Sequence, residues 1–511
     1  MMRNRLEITG QALIRNGLLN IAGQGLPFLF GLLSMPVVVH GLGAERLGLL
    51  IFTWTLLGVL GIADLGLGPA VTKHVAEALG RGDHGAIPGI LWWAALGQVV
   101  LGGMAALLLA SGAGMLVREM LHVSPALHEE ATGAFRLAAL TFPIVLVSTS
   151  FRSALEAAQR FDVAAAYKAA SGSATFLIPM LGTLVSTDLV GIMAALLVAR
   201  LLLLAVLVRV AVRSLPARPT RHAMHAAILP RLLVFGGWVT ISGLAGLVLT
   251  YTDRFIIGGR LAMSALAYYS VPQEMIARLT VISASAVAVL FPAFSALGGA
   301  GDLGGLQRLF YRSAKYMVLT VLPAFGLIAV VAPDILRVWL GPDLAGRSAA
   351  VLRILAVGAG VQTLGVIPYT LLQGLGRSDL TAKIHLIEAP AYVAVLAILV
   401  GAAGIVGAAA AWSGRMVIET ILLYLAAGRI RGGLGDAPRD ARCMAGGAIV
   451  LCGASAVVYV LPLPVAQRAV LLTIVVVLFG RWVWRVALDA EEREGIARMI
   501  AAWRSAWPRP R

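Results

Sequence analysis

The chain has 511 residues, 59% of them hydrophobic and only 13% charged, with a mean hydropathy of +0.89. Soluble domains carry about a quarter charged residues, so a soluble globular protein is excluded; apolar stretches of about 20 residues indicate membrane helices, not the short alternating strands of a β-barrel. The net charge of +16 does not indicate nucleic acid, because the basic residues gather in loops, where membrane orientation explains them.

Met1 to Arg15 is too polar for the apolar core of a secretory signal. Fourteen spans then follow, at 17–39, 48–68, 87–110, 135–154, 165–185, 189–210, 232–252, 265–294, 314–335, 351–375, 384–400, 405–427, 443–461 and 470–486. Each is long enough to cross ~30 Å of hydrocarbon. With the N-terminus inside, 29 of the 41 Lys and Arg fall in or beside cytoplasmic loops, 9 in outer loops, and Arg200, Arg278 and Arg415 at mid-depth. That asymmetry places both termini in the cytoplasm. The outer loops are short. The most basic central loop, 209–231, contains LPARPTR and reads as a linker. Cys443 and Cys452 share one apolar segment and form no CxxC or zinc spacing. The tail 489–511 is charged, holds two Trp, and reads as a helix on the inner surface.

Arg136, Arg160 and Asp162 recur as Arg353, Arg377 and Asp379 at one offset of 217, and Arg200 recurs as Arg415 at 215. GLGAERLG after the first span resembles GRLAMSALA after the seventh. The chain therefore reads as all-α, with two pseudo-symmetric six-helix lobes at 1–212 and 231–428 joined by a linker at 213–230. A pair of extra helices at 429–488 and the tail complete it. A site is expected between such repeats.

Glu274 and Arg278 stand four residues apart within an apolar stretch, acid before base, so a helix sets them on one face. A charge at membrane depth costs several kcal/mol and by default faces a bundle interior or a wet cavity. The pair reads as an anion-binding arginine with a carboxylate that exchanges a proton, or as a bridge fastening helices. The desolvation cost of a purely structural bridge favours the first reading. Arg200 and Arg415 add positive potential to a chamber or snorkel between helices, and Glu419 offers Arg415 a local partner. Asn16, Asn20 and Gln24 make a polar stripe that lines a cavity or bonds a neighbouring helix. Asp64 gates the inner mouth or caps a helix, and Asp253 with Arg254 reads as an outer-interface pair. Glu388 is a proton site or a structural carboxylate. Of the many prolines within spans, Pro272 and Pro292 bracket the charged pair and suit helices that rock. No GxxxxGK[ST], HExxH, outer-loop Ser/His/Asp set or acidic metal cluster occurs, which points away from an enzyme and from a metal site.

LGAERLGLL with IADLGLGPAVTKHVAE (42–77), TDRFIIGGRLAMSALAYYSVPQEMIARL (252–279), LFPAFS (290–295) and LLQGLGRSDLTAKIHLIEAP (371–390) together resemble the oligosaccharide flippases, the Wzx-type polysaccharide exporters of the multidrug/oligosaccharidyl-lipid/polysaccharide exporter superfamily. The resemblance implies two lobes forming a V around a cationic cavity in a bacterial inner membrane. It implies a cavity that holds an undecaprenyl-diphosphate-linked oligosaccharide during alternating access. Arg278 matches the place of a cavity arginine, with Arg15, Arg200 and Arg415 as further candidates. No cofactor is implied; protons, sodium or membrane potential remain open as the coupling force. The expected partners are the lipid-linked glycan, membrane lipid, and a polysaccharide polymerase and glycosyltransferases, with the protein itself a monomer. The rival readings are a cation-coupled multidrug exporter of the same superfamily, which should have a carboxylate-rich site, and a membrane glycan polymerase or transferase, which should have a large outer loop.

Overall fold

The computed structural model describes residues 10–62, 66–215, 246–279, 281–429 and parts of 453–494, with side chains from Gly25 onward apart from a few positions that include Pro292. The long elements among the described residues are all helices. They are α1 (Gly10–Ile62), α2 (Leu67–Arg81), α3 (Ile87–Met115), α4 (His128–Ala157), α5 (Phe161–Val185), α6 (Leu189–Ser214) and α7 (246–260). They continue with α8 (Met263–Leu279), α9 (Val281–Gly299), α10 (Leu303–Leu340), α11 (Pro342–Gly374), α12 (Ser378–Gly428) and α13 (Val465–Trp482). Among the described residues eight helical stretches are long and apolar enough to cross a membrane. Two are double. Gly43, at φ 73°, breaks α1 between the spans expected at 17–39 and 48–68. Gly404, at φ 56°, breaks α12 between those expected at 384–400 and 405–427. Both take a left-handed backbone that a residue with a Cβ resists. The spans expected at 232–252 and 443–461, the linker and the tail lie wholly or largely outside the described residues.

Contacts divide the chain into two compact units, Met1–Val271 with Val393–Ala408, and Pro272–Tyr392 with Ala409–Arg511. In the first, α4 packs on α3, α6 and α2. Lipid offers helices no hydrophobic drive to associate, so close packing of small residues takes over. Gly102 of α3 lies against the backbone of Pro143 in α4, and a Cβ there would fall 2.6 Å from the proline Cα. One end of these helices is tied by polar groups. Glu45 accepts from the backbone N–H and hydroxyl of Ser124 at 2.6 and 3.0 Å. Arg46 forks onto Glu130 at 2.8 and 2.9 Å. Glu130 also accepts from the Leu189 N–H at the start of α6, at 2.9 Å. The GLGAERLG stretch is thus a helix break followed by Glu45, which holds the loop before α4, and Arg46, which grips Glu130 of α4. Asp253 is buried, 1% exposed, and accepts from Tyr269 Oη at 2.7 Å, while Arg254 reaches Thr55 Oγ1 at 3.4 Å.

In the second unit α11 packs against α10 and α9. Hydroxyls of α12 reach carbonyls of α11: Ser413 donates to Ile354 O at 2.8 Å and Thr420 to Val361 O at 3.2 Å. Gly358 and Gly365 of α11 leave the room these side chains fill. Glu492, beyond α13, accepts from Lys315 Nζ of α10 at 2.7 Å.

The turns of the two units repeat. Gln159 (φ 59°) and Gly376 (φ 73°) occupy the same position at offset 217. Each is followed by an arginine whose N–H closes on a carbonyl five residues back at 2.8 Å: Arg160 on Leu155 and Arg377 on Leu372. Each arginine then bonds the aspartate two residues on, Arg160 to Asp162 at 3.0 Å and Arg377 to Asp379 at 3.1 Å. These hydrogen bonds hold both carboxyls below their usual range. Any stabilisation they bring is full at neutral pH and fades as the pH falls through those lowered values. A second pair of turns recurs at offset 219, Gly82–Asp83 before α3 and Gly301–Asp302 before α10, each aspartate accepting from the N–H three residues on.

Gly102→Ala is expected to lower the melting temperature in detergent, by an amount equivalent to about 1–3 kcal/mol of overpacking. Gly103→Ala, where nothing lies within 4 Å of an added Cβ, should leave the melting temperature unchanged or raise it.

Candidate functional site

Three groups of charged side chains sit on apolar helices, and each follows from helical spacing. On α8, Arg278 Nη2 lies 3.5 Å from Glu274 Oε2, both side chains about a third exposed. This is the pair the sequence predicts. Pro272, half a turn before Glu274, is buried at the point where α8 passes from one unit to the other. Pro292 is on α9, with its side chain outside the description.

The second group lies in the first unit, where α4, α5 and α6 meet. Leu189, Met193, Leu196, Leu207 and Ala211 form the buried stripe of α6, while Val198, Leu202 and Val206 face outward. Arg200 falls on the buried stripe, and its Nη1 donates to Thr141 Oγ1 of α4 at 3.0 Å. It lines a cavity of about 180 Å³ together with Ser148, Thr149, Arg152, Tyr167 and Ser171, room for about six waters at ~30 Å³ each. Arg152 Nη1 lies 2.8 Å, and Lys168 Nζ 3.2 Å, from the same oxygen of Glu156. Two cations thus share one carboxylate, and one of them, Arg152, lines the hollow with Arg200. Such a site favours an anion, because guanidinium groups make charge-assisted hydrogen bonds to a phosphate or carboxylate. Sequence reading finds Arg200 here but misses Arg152, Lys168 and Tyr167.

The third group lies in the second unit, where α11 meets both segments of α12. His385, Glu388 and Tyr392 share one face of the first segment, while Leu386 and Ile387 beside them are about 70% exposed. Arg415 and Glu419 share one face of the second. Arg415 Nη1 is 3.5 Å from Glu419 Oε2, and the guanidinium lies 5.2 Å from the centre of the Tyr392 ring. His385 Nε2 is 3.3 Å from Glu419 Oε1, and its ring stacks on Tyr369 of α11. Glu388 is 6% exposed, and neither of its carboxyl oxygens has a hydrogen-bond partner. Ligating atoms of His385, Glu388 and Glu419 lie within 4.8 Å of one another. The structure therefore joins Glu388 to Arg415, two residues that sequence reading treats separately, and adds His385. The offset of 217 is the signal that finds the missed residues: it pairs Arg152 with Tyr369, Lys168 with His385 and Ser171 with Glu388.

Of the remaining candidates, Arg15, Asn16, Asn20 and Gln24 lie on α1 with their side chains outside the description, and Asp64 falls outside the described residues.

Helices of this length and hydropathy, broken within α1 and α12, define a multi-pass membrane protein. The fold is shared with solved transporters. "Lipid II flippase MurJ, inward closed conformation" aligns with a TM-score of 0.73 at 12% identity, covering 92% of this chain and 99% of that one. An inward-facing multidrug resistance MATE family transporter of the MOP superfamily aligns at 0.67 and 16% identity, covering 80% and 97%. The chain belongs to the family described as polysaccharide biosynthesis protein, whose pattern matches residues 13–297. It is 28% identical over 412 residues to the Shigella flexneri protein named "Putative O-antigen transporter", covering 81% of this chain and 97% of that protein. It is 24% identical over 405 residues to the Haloferax volcanii protein named "Probable low-salt glycan biosynthesis flippase Agl15", covering 79% and 80%.

Glu156→Gln is expected to destabilise the protein by about 1–3 kcal/mol, since it leaves Arg152 and Lys168 without their shared carboxylate. Adding Arg152→Gln to it should recover part of that loss, which a double-mutant cycle on melting temperatures would read.

Proposed function

We propose that this protein is a flippase that moves a lipid-linked oligosaccharide, carried on undecaprenyl diphosphate, across the bacterial cytoplasmic membrane for surface polysaccharide assembly. The observation that carries the reading is a surplus of cations on membrane-spanning helices in a member of the polysaccharide biosynthesis family. Arg152 and Arg200 line a cavity, Glu156 holds Arg152 together with Lys168, and Arg278 lies on α8 beside Glu274. A diphosphate is the part of such a substrate that cannot enter hydrocarbon without compensation. Guanidinium and ammonium groups compensate it by charge-assisted hydrogen bonds while the prenyl chain stays in lipid.

In this account two six-helix repeats, 1–212 and 231–428, alternate in the side of the membrane to which they open. The repeated turns at Arg160–Asp162 and Arg377–Asp379 support that division. Arg278 binds the diphosphate, and Glu274 holds the arginine when no substrate is present. Pro272 and Pro292 flank the pair where a helix must bend, and Asn20, Gln24 and Arg15 extend the polar path along α1. Arg415, held by Glu419 and Tyr392, positions its neighbours rather than contacting substrate. Both termini are cytoplasmic, and the protein works as a monomer beside a polymerase and glycosyltransferases.

A strain deleted for this protein should accumulate lipid-linked glycan at the inner leaflet and lose surface polysaccharide. Arg278→Ala, inserted in the membrane at the wild-type level, should fail to restore export, whereas Arg278→Lys should restore part of it. Full export by Arg278→Ala would reject the assigned role. Normal surface glycan in the deletion strain, with loss of drug efflux instead, would favour the multidrug exporter.

A further inference from the structure

The cluster on α11 and α12 differs from its counterpart in a way the fold does not require. At offset 217, Ser171 stands where Glu388 stands and Lys168 where His385 stands. The same three-helix junction therefore closes with a serine and a permanently charged lysine. In the second unit it holds instead two groups that can gain or lose a proton.

Glu388 is the unusual member. Its side chain is nine-tenths buried among apolar helices, and both oxygens lack a hydrogen-bond partner. An ionised carboxylate in that condition costs several kcal/mol, so such a group stays neutral unless a counter-charge reaches it. The nearby charged groups do not supply one directly. Arg415 is engaged by Glu419 at 3.5 Å and by the Tyr392 ring. Its guanidinium also opposes a metal cation at this spot by like-charge repulsion. His385, one helical turn before Glu388, has a ring nitrogen 3.3 Å from Glu419. From α11, Tyr369 faces the His385 ring. Among the described residues, these are the titratable and charged groups placed around Glu388.

We propose that Glu388 is the carrier of an exchangeable proton and that His385, backed by Glu419, is the relay through which that proton arrives and leaves. In the loaded state Glu388 is a neutral acid, His385 is neutral, and Arg415 balances Glu419, so the cluster has no net charge. Release begins when the O–H bond of Glu388 breaks and its proton forms an N–H bond on the imidazole. The imidazolium formed is stabilised by Glu419, and Glu388 becomes a carboxylate. Loss of the ring proton to water then leaves the cluster with a net charge of −1. Loading runs these steps in reverse. Protonation thus switches the cluster between a neutral form that tolerates burial and an anionic form that demands water. That is the differential needed to bias one open state against the other. The inference deepens the flippase reading by naming its coupling ion, and it rests on that reading only for the cargo.

The test separates the two. Infrared difference spectra of the full-length protein in nanodiscs, taken across a pH titration, should show the carbonyl band of a protonated buried carboxyl near neutral pH. Glu388→Gln should remove that band without changing the melting temperature, and His385→Gln should slow its appearance after a pH jump. In cells, Glu388→Gln should reduce glycan export at least about tenfold. A band that persists in Glu388→Gln, or its absence from the wild type, would overturn the proposal while leaving the flippase reading intact. A melting temperature raised by sodium at fixed pH, with no such band, would also overturn it, because a bound cation would then neutralise Glu388. A band that behaves as expected in a protein whose deletion leaves surface glycan normal would uphold the proton site and reject the cargo.

Discussion

A charged side chain can remain in the hydrocarbon layer only where other protein groups, or water held by protein, replace the solvent it has lost. That constraint explains where this chain places its mid-depth charges. Arg200 lies on the inward stripe of α6, bonded to Thr141 and open to a small polar cavity. Arg415 is clamped between Glu419 and the face of Tyr392. Glu274 and Arg278 carry their own compensation on successive turns of α8. The outward positions beside them, such as Val198, Leu202, Leu386 and Ile387, are apolar and exposed. The charges thus sit at helix junctions, and the lipid-facing surface stays greasy.

The two junctions that carry these groups are related by the repeat but differ in chemistry. One has two fixed cations on a single carboxylate, with Arg200 lining the same hollow as Arg152, which suits a permanent anion. The other has a histidine, two carboxylates and one arginine, which suits a charge that changes. A duplicated fold can specialise in this way because the architecture is held elsewhere. The glycine-to-backbone contacts of α3 with α4, the hydroxyl-to-carbonyl bonds of α12 with α11 and the arginine–aspartate turns between helices leave the junction residues free to vary.

Much of this could be read from the chain itself. Hydropathy marks the helices, while the breaks at Gly43 and Gly404 show only in the backbone angles. The Glu274–Arg278 spacing places that pair on one face. The matches of Arg160 and Asp162 with Arg377 and Asp379 turn out to be matched turns. The polar clusters were harder to see, because a helical wheel shows which residues share a face and says nothing of which faces meet. Glu388 and Glu419 are 31 positions apart, and His385 attracts no notice on an otherwise exposed, apolar turn. Arg152 and Lys168 lie near helix ends, where basic residues are ordinary interface anchors. The cavity that Arg152 lines with Arg200, and the Glu156 carboxylate that Arg152 and Lys168 share, set them apart. Asp253 looks like an interface residue because it adjoins Arg254, yet it is buried and accepts from Tyr269.

Flipping by this route requires above all that Arg278 meet a diphosphate. Binding of undecaprenyl diphosphate to the purified protein in nanodiscs, compared between wild type and Arg278→Gln, measures this. The expected result is an affinity at least about tenfold weaker in the variant, equivalent to ~1.4 kcal/mol or more, together with a shallower dependence on salt. Equal affinities and equal salt dependence in two well-folded proteins would contradict it.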